Sequence, residues 1–322
     1  MKRIDRVSTR PRAVTAFGAA KINIGLRVGS RRPDGYHDVC GLVHTVSLVD
    51  RIEISLGEAG GGVLVDPAIP LRLRAPGAEA LETPDNLVAR VAAELSSLSR
   101  PTATAIAIHK AIPVAAGLGG GSADAAAALA ALNVAWGAGL DPRDLMEVGA
   151  RVSSDVPAIL AGGLVHIGGR GERVRRLGAA TAGAFVLGIS EEPISAADAY
   201  ATFDDLGPTA ARTFQHNDLE AAACALVPDV VSRIGVMKNA GADPVFVSGS
   251  VITISVSCVA SADDTPPCLA IAVVSAGVET TTYAPGVSEG HAIASGIIAQ
   301  VIRHHFQKEI ICEKKNHQPG PR

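Results

Sequence analysis

Aromatic residues make up only 3% of this sequence, although 48% of its residues are hydrophobic and 34 are glycine. The core must therefore be built from small aliphatic side chains, which is typical of a compact protein with both helices and strands. The five cysteines are scattered, odd in number and without a C-x-x-C pair, which argues against a disulfide framework or a zinc site. The sequence contains no apolar run of about 18 residues, so we expect no transmembrane helix.

The charge balance gives no reason to expect a polyanionic partner. Lys and Arg total 29 against 32 Asp and Glu, a formal net charge of −3, so we expect no nucleic acid or membrane surface as partner. The nine histidines show no HExxH-type spacing, and we predict no dedicated metal site. The first 14 residues have no apolar stretch, so we expect a cytoplasmic protein without a signal peptide, either a monomer or a homodimer.

Alternating patterns predict strands from Ala13 to about Leu56, with a turn at Pro33-Asp34-Gly35. Further along we predict a strand at "GGVLVD", a helix that begins near Asp85 and a strand that ends near Pro113. "DPRDLMEVGARV" predicts a helix with Asp141 as N-cap, and this helix is expected to stop before "SSDVPAILAGG". Past about 171 the pattern restarts as a second α+β unit.

A glycine-rich segment, "GLGGG" at residues 117–121, leads directly into the alanine-rich run "SADAAAALAALN". Glycine tolerates positive φ and lets a ligand approach the backbone, and the N-terminus of the following helix favours anions. We expect Ser122 or Asp124 to cap that helix and the loop to hold phosphate. A plain turn before a closely packed helix is the alternative. The loop lacks the lysine of a P-loop, and the sixth position of a dinucleotide motif, counted from Gly117, is Ser122 rather than glycine.

Four side chains outside the loop also stand out. Lys21 lies in the apolar strand "AAKINIGL", where an ammonium needs a partner, and Asp155 in "SSDVP" is a candidate. A purely structural buried ion pair is the alternative. Tyr36 and His37 follow the predicted turn in "RRPDGYH", which an ordinary turn with a packed aromatic side chain would also explain.

In this order along the chain, "AAKINIGL", "RRPDGYH", "IPVAAGLGGGSADAAAALAALN" and "SSDVP" resemble the GHMP family of small-molecule kinases. The resemblance implies an α+β, two-domain fold. Residues 1–170 would form an N-terminal β-α-β nucleotide-binding domain, residues 171–290 a C-terminal ferredoxin-like α/β sandwich, and residues 291–322 a poorly structured tail.

The resemblance also implies an ATP site and a catalytic pair. Asp155 would accept the proton of the attacking hydroxyl, Lys21 would keep that carboxylate ionised, and Asn23 would orient the acceptor. Mg²⁺ would arrive on the nucleotide, with Ser122 as a possible contact. The backbone that wraps the ATP phosphates would be Pro113, Val114, Ala115, Ala116, Gly117, Leu118, Gly119, Gly120, Gly121, Ser122 and Ala123.

Within the family, the "AKIN" and "DGYH" pairing resembles members that phosphorylate the C2 hydroxyl of 4-diphosphocytidyl-2-C-methyl-D-erythritol, a step of non-mevalonate isoprenoid biosynthesis. That substrate, CDP-methylerythritol, would have its cytosine stacked on Tyr36 and hydrogen-bonded by His37. Tyr200 would be the second aromatic of the sandwich, with helix packing as the alternative. Asn217 and Asp218 match a family feature that an N-cap also explains.

The sequence departs from the family in its third glycine motif, where "VSGSVITISVS" places Val251 at the position of the last glycine. A β-branched residue resists positive φ, so we expect a rearranged loop and a higher activity in Val251→Gly if glycine is required there. Three alternative functions follow from the sequence. They are a homoserine or mevalonate type of GHMP kinase, a nucleotide-binding homologue with impaired catalysis, and a Rossmann oxidoreductase.

Overall fold

The computed structural model describes residues 12–57, 63–66, 85–177, 184–190, 192, 194–208, 216–239, 245–248, 251–256, 270–274 and 281–283. Its longest feature is a hairpin of two antiparallel strands, β1 (Ala13–Arg31) and β2 (His37–Leu56). The predicted turn joins them, with Gly35 at φ +85° and its N–H donating to Arg32 O at 3.0 Å. The hairpin predicted from the alternating pattern is therefore confirmed.

The hairpin belongs to a six-stranded sheet. Strand β2 pairs with β1 and also with strands on either side of it, giving the order β3-β4-β2-β5-β6. All of these pairings are antiparallel except that of β3 with β4. The remaining strands of this sheet are β3 (Val63–Asp66), β4 (Thr104–His109), β5 (Leu164–Gly168) and β6 (Arg173–Arg176).

Four helices accompany this sheet: α1 (Leu87–Ser96), α2 (Gly120–Ala135), α3 (Pro142–Val152) and α4 (Val156–Ala161). Helix α2 is buried along most of its length, and its leucines Leu129 and Leu132 belong to the main hydrophobic core. Its alanines let it approach β1 so closely that a Cβ on Gly18 would lie 2.3 Å from Ala123 O. The helix is thus fixed against the strand that carries Lys21.

The predicted helix at "DPRDLMEVGARV" is confirmed as α3, with Asp141 as N-cap and Pro142 at its start. Asp141 accepts hydrogen bonds from the N–H groups of Arg143 and Asp144, at 2.7 and 3.0 Å. The sequence did not predict α4, because its six residues are too few for a helical period to emerge. Asp155, expected on a loop, is the N-cap residue of α4.

The second half of the described chain forms a five-stranded sheet in the order β11-β10-β7-β9-β8. Its strands are β7 (Ala184–Ile189), β8 (Val245–Ser248), β9 (Val251–Val256), β10 (Ala270–Val274) and β11 (Thr281–Tyr283). Its helices are α5 (Ala196–Leu206), α6 (Glu220–Leu226) and α7 (Pro228–Asn239). This mixture of helices and sheets confirms the α+β class. The proposed domain boundaries stay predictions, and the expected tail at 291–322 lies outside the described residues.

The segment before α6 joins the two halves of the chain. Leu26 on β1 donates its N–H to His216 O at 3.0 Å, and its carbonyl accepts from the N–H of Asp218 at 2.9 Å. The side chain of Asn217 donates to Val247 O at 2.7 Å. The N-cap explanation of Asn217 and Asp218 is wrong, because Leu219 is the residue that precedes α6.

No helix among the described residues is long and apolar enough to cross a membrane.

Candidate active site

The glycine-rich loop connects β4 to α2 and bends through three residues with positive φ. These are Ala115 at +57°, Gly117 at +73° and Gly119 at +68°. Gly119 is the N-cap of α2, and no side chain caps this helix. The expectation that Ser122 or Asp124 caps α2 is wrong, since both lie inside the helix. The uncapped first turn leaves backbone N–H groups available for an anion.

The same loop surrounds a cavity of about 430 Å³. One wall comes from the start of α1, another from the end of β4, and the floor from the first turns of α2. Such a volume is in the range of pockets for small ligands. The lining residues are Asp85, Asn86, Leu87, Ile108, Lys110, every residue from 113 to 122, and Asp124.

Next to this loop, Lys21 of β1 meets Asp155 at the start of α4. Lys21 Nζ lies 3.6 Å from Asp155 Oδ2 and 3.4 Å from Asn23 Oδ1. The lysine side chain is only 9% exposed, whereas that of Asp155 is 37% exposed. Asp155 is thus open to a ligand, with a buried cation on its other side.

A backbone hydrogen bond ties the pair to the loop, because the N–H of Lys21 donates to Leu118 O at 2.9 Å. A Cβ at Gly119 would also lie 3.6 Å from Asp155 Oδ2. The structure therefore brings Lys21, Asn23, Asp155 and the glycine loop together, as the sequence predicted. The arrangement places an accessible carboxylate and a buried ammonium beside an anion-binding helix terminus.

Comparison with known proteins accounts for this combination. The family profile "GHMP kinases N terminal domain" matches residues 86–163. A 4-diphosphocytidyl-2-C-methyl-D-erythritol kinase of Mycolicibacterium smegmatis is 33% identical over 272 residues, covering 76% of this chain and 82% of that relative. This chain belongs to the GHMP kinases, in the branch of that relative.

Two further matches support the assignment. A Pelotomaculum thermopropionicum protein named 4-diphosphocytidyl-2-C-methyl-D-erythritol kinase is 47% identical over 165 residues, covering 51% of this chain and 54% of the relative. With this relative the match spans about half of either chain. A solved structure of 4-(cytidine 5'-diphospho)-2C-methyl-D-erythritol kinase has a TM-score of 0.58 and 27% identity, covering 75% of this chain and 89% of the other.

In this GHMP kinase, His37 begins β2 and is buried beside helix α5. The ring of Tyr200 stacks on that of His37, with centroids 5.0 Å apart and planes at 17°. Burial and the charge of Asp155 raise the pKa of Tyr200 to about 12, so its hydroxyl stays protonated. Tyr36 is half exposed and lies under the guanidinium of Arg170, 5.0 Å from the ring centroid. Tyr200 therefore contacts His37, and the sandwich of Tyr36 and Tyr200 around a base stays a prediction.

A buried charge cluster that the sequence reasoning did not find lies next to the glycine-rich loop of this GHMP kinase. Lys110 donates to Asp50 and, at 2.6 Å, to Asp124 Oδ2. Asp50 also accepts the N–H of Ile112 at 2.8 Å. Lys110 sits between two apolar segments in "IAIHKAIPV", so the reasoning applied to Lys21 could have found it.

The pKa values of both Lys110 and Asp124 in this cluster are raised. Burial raises the pKa of Asp124 well above its usual range, and the neighbouring Asp50 raises it further, while Lys110 opposes the shift. Burial alone would lower the pKa of Lys110, but Asp124 and Asp50 raise it overall. Lys110 therefore stays charged, and Asp124 retains its proton over a wider pH range than an ordinary carboxyl group.

The third glycine motif contacts the candidate site through Ser248. This residue is fully buried, and its Oγ accepts a hydrogen bond from the N–H of Asn23 at 2.9 Å. Val251 begins β9 and pairs with Ser248 and Ile189. The expected conflict at Val251 is therefore not found, because a paired strand residue has negative φ, which valine favours. Residues 249 and 250 lie outside the described residues.

Proposed function

We propose that this chain transfers the γ-phosphoryl group of ATP to the C2 hydroxyl of 4-diphosphocytidyl-2-C-methyl-D-erythritol. The observation that carries the proposal is the Lys21–Asp155 pair beside Gly119, which joins a carboxylate, a cation and a phosphate-type loop in one place. The names of the relatives supply the substrate and its pathway, non-mevalonate isoprenoid biosynthesis.

The loop from residue 113 to 123 would hold the ATP phosphates by backbone N–H groups and the start of α2. The fit is supported by the uncapped helix and by the cavity that this loop encloses. Mg²⁺ bound with the nucleotide would neutralise developing charge on the phosphates. Ser122 is the hydroxyl proposed to contact the metal. Its Oγ now lies 2.9 Å from Ser153 Oγ, so such a contact would compete with this hydrogen bond.

Asp155 would accept the proton of the attacking hydroxyl, and Lys21 would hold that carboxylate in its charged form. Orientation of the acceptor and electrostatic stabilisation by the lysine would contribute alongside proton transfer. Asn23 is held by its backbone bond to Ser248 and by Lys21, and it would orient the acceptor.

The cytidine end would bind at the turn of the β1–β2 hairpin, where Tyr36 precedes His37 and Tyr200 stacks on the His37 ring. Tyr36 offers an exposed ring face and His37 a hydrogen-bonding edge. Besides burial, the charge of Asp155 raises the pKa of Tyr200, so this aromatic ring is within electrostatic range of the carboxylate proposed as catalytic. A homoserine or mevalonate acceptor has no base for these rings, so the aromatic group favours the cytidyl substrate.

The test measures ADP release by the purified chain with Mg-ATP and the cytidyl substrate, with homoserine and mevalonate in parallel. Turnover with the cytidyl substrate alone, lost in Asp155→Asn, supports the proposal. Turnover with homoserine or mevalonate instead would assign the chain another acceptor. ATP binding without turnover on any acceptor would indicate an impaired homologue.

A further inference from the structure

We propose that Asp204, on helix α5, is a positioning residue that fixes the tautomer of His37 and thereby makes the base site select cytosine over uracil. The inference rests on the proposed function, because it assigns a task to a residue near the proposed base site. It is carried by one hydrogen bond. Asp204 Oδ1 lies 2.7 Å from His37 Nε2.

The direction of this hydrogen bond follows from its partners. A carboxylate can only accept, so the proton of the bond belongs to His37 Nε2. Arg31 Nη1 lies 3.8 Å from Asp204 Oδ2, so the second carboxylate oxygen faces a cation and the first faces His37. A neutral imidazole carries one ring proton, so when Nε2 is protonated the other nitrogen, Nδ1, presents a lone pair.

The ring is also held in place by packing. His37 is buried, Tyr200 stacks on one face, and Phe203 meets it edge-on at 6.2 Å between centroids. A flipped ring would lose the hydrogen bond to Asp204. Among the residues that the structure describes, His37 Nδ1 has no hydrogen-bond partner, so this nitrogen is the part of the ring left for a ligand.

The fixed tautomer has a chemical consequence for a pyrimidine. At position 4 cytosine carries an amino group, which donates, whereas uracil carries a carbonyl oxygen, which accepts. A lone pair on Nδ1 pairs with the amino group and repels the carbonyl, and a site that loses a matched polar contact rejects the analogue strongly. We expect the wild-type chain to prefer the cytidine ligand by about 10- to 100-fold or more.

The test uses the full chain with three variants. In Asp204→Asn the side-chain amide either accepts from or donates to His37, so the tautomer is no longer fixed. Asp204→Glu keeps a carboxylate. Asp205→Asn changes the adjacent exposed residue of the same helix and is the matched control. Binding of CDP and UDP is measured by calorimetry, and the KM and kcat of the cytidyl and uridyl forms of the substrate are compared.

We expect Asp204→Asn to reduce the CDP-to-UDP preference at least about tenfold, mainly through weaker binding of the cytidine ligand, with kcat little changed. Asp204→Glu should recover part of the preference, and Asp205→Asn should equal the wild type. In ¹⁵N-histidine NMR spectra, the wild-type His37 should show a protonated Nε2 and an unprotonated Nδ1, and Asp204→Asn should show a mixture.

Three results would overturn the inference. The first is a wild type that binds CDP and UDP equally, and the second is an Asp204→Asn variant that keeps the wild-type preference. The third is an Asp204→Asn variant that loses affinity for both ligands equally, which would indicate a merely structural role. Failure of the proposed function looks different. The chain would then release no ADP with the cytidyl substrate, while CDP binding and the NMR signals would still report on Asp204 and His37.

Discussion

Gly119 lies against the side chain of Lys21, so closely that a Cβ at position 119 would come within 2.9 Å of Lys21 Cγ and 3.1 Å of Lys21 Cε. The loop proposed to hold the nucleotide and the lysine of the proposed catalytic pair therefore have no space between them. Any side chain at position 119 must displace Lys21, and through it the ion pair with Asp155.

Gly119→Ala should damage the site for two reasons. The φ of +68° costs an L-residue about 1–2 kcal/mol, and the new methyl group pushes on Lys21. Because a displacement of about 1 Å costs on the order of 100-fold in rate, we expect kcat/KM to fall by at least that factor. Gly235→Ala is the control, since a Cβ there meets nothing within 4 Å and the helix interior favours alanine. Equal activity of the two variants would contradict this account.

Lys21→Met should lower activity strongly while leaving the stability of the fold nearly unchanged. A buried ammonium is removed, while Asp155 is exposed enough to be hydrated when its partner is lost. We expect the free energy of unfolding to stay within about 1 kcal/mol of the wild type or to rise. We expect kcat to fall by about 100-fold or more. Denaturant unfolding and steady-state kinetics measure the two effects, and a large loss of stability would indicate that the pair is mainly structural.

The two carboxylates bound to Lys110 should respond differently to neutralisation. Asp50 is fully buried and accepts from Lys110 and from the N–H of Ile112, so Asp50→Asn turns a donating amide toward one of these donors and should cost about 1–3 kcal/mol. Asp124→Asn replaces a group that favours its protonated form and can still accept from Lys110, so we expect a change below about 1 kcal/mol near pH 4, where the pH-dependent gain described below has not begun. Equal costs in urea unfolding would contradict this division.

The raised pKa of Asp124 also predicts a pH dependence. Between its ordinary value of 3.8 and the higher pKa in the folded state, the folded protein binds the proton more tightly than the unfolded chain. Stability is therefore lost as pH rises through this window. Asp124→Asn lacks this loss, so its stability relative to the wild type should improve between about pH 4 and the pKa of the folded state. A constant difference across pH would show that the shift is absent.

Ala115→Gly should relieve the strained turn of the loop. Among the described residues Ala115 is the one non-glycine residue with positive φ, and such a conformation costs about 1–2 kcal/mol. We expect the variant to be more stable by roughly 1 kcal/mol. ATP affinity should fall slightly, because a freer loop loses more entropy on binding. Thermal unfolding and ATP titration by calorimetry check both effects.

Val251→Gly should not raise activity, contrary to the expectation from the sequence. Val251 lies in a paired strand, where glycine weakens the structure by roughly 0.5–1 kcal/mol. We expect unchanged kcat and slightly lower stability. A higher kcat would show that the glycine of the family motif is needed in a way that the strand pairing does not reveal.

The sequence predicted the features that depend on local chemistry. The turn at Gly35, the capping of α3 by Asp141 and the helix after the glycine loop each follow from residues within a few positions. The meeting of Lys21 and Asp155 was also predicted, because a lysine in an apolar strand needs a partner and Asp155 matched the aspartate that the family pairs with it.

The features that it missed depend on contacts between distant residues. Asp204 is one of two adjacent aspartates on α5, and nothing local indicates that it rather than Asp205 reaches His37, 167 positions earlier. The predicted cap of α2 was wrong because Gly119, with positive φ, is the N-cap and the helix begins at Gly120, two residues before Ser122. The roles of Asn217 and Asp218 became visible only when their segment was seen beside β1.

The bonds between Leu26 and the segment at His216 and Asp218 have a consequence for how the protein is made. About 190 further residues must be synthesised after Leu26 before Asp218, its hydrogen-bond partner, has been made. This edge of β1 therefore stays unpaired during most of synthesis. The strand that carries Lys21 and Asn23 is thus among the first segments to be made and among the last to be completed. Nascent chains stalled before this point should carry an open strand edge, which is a target for chaperones.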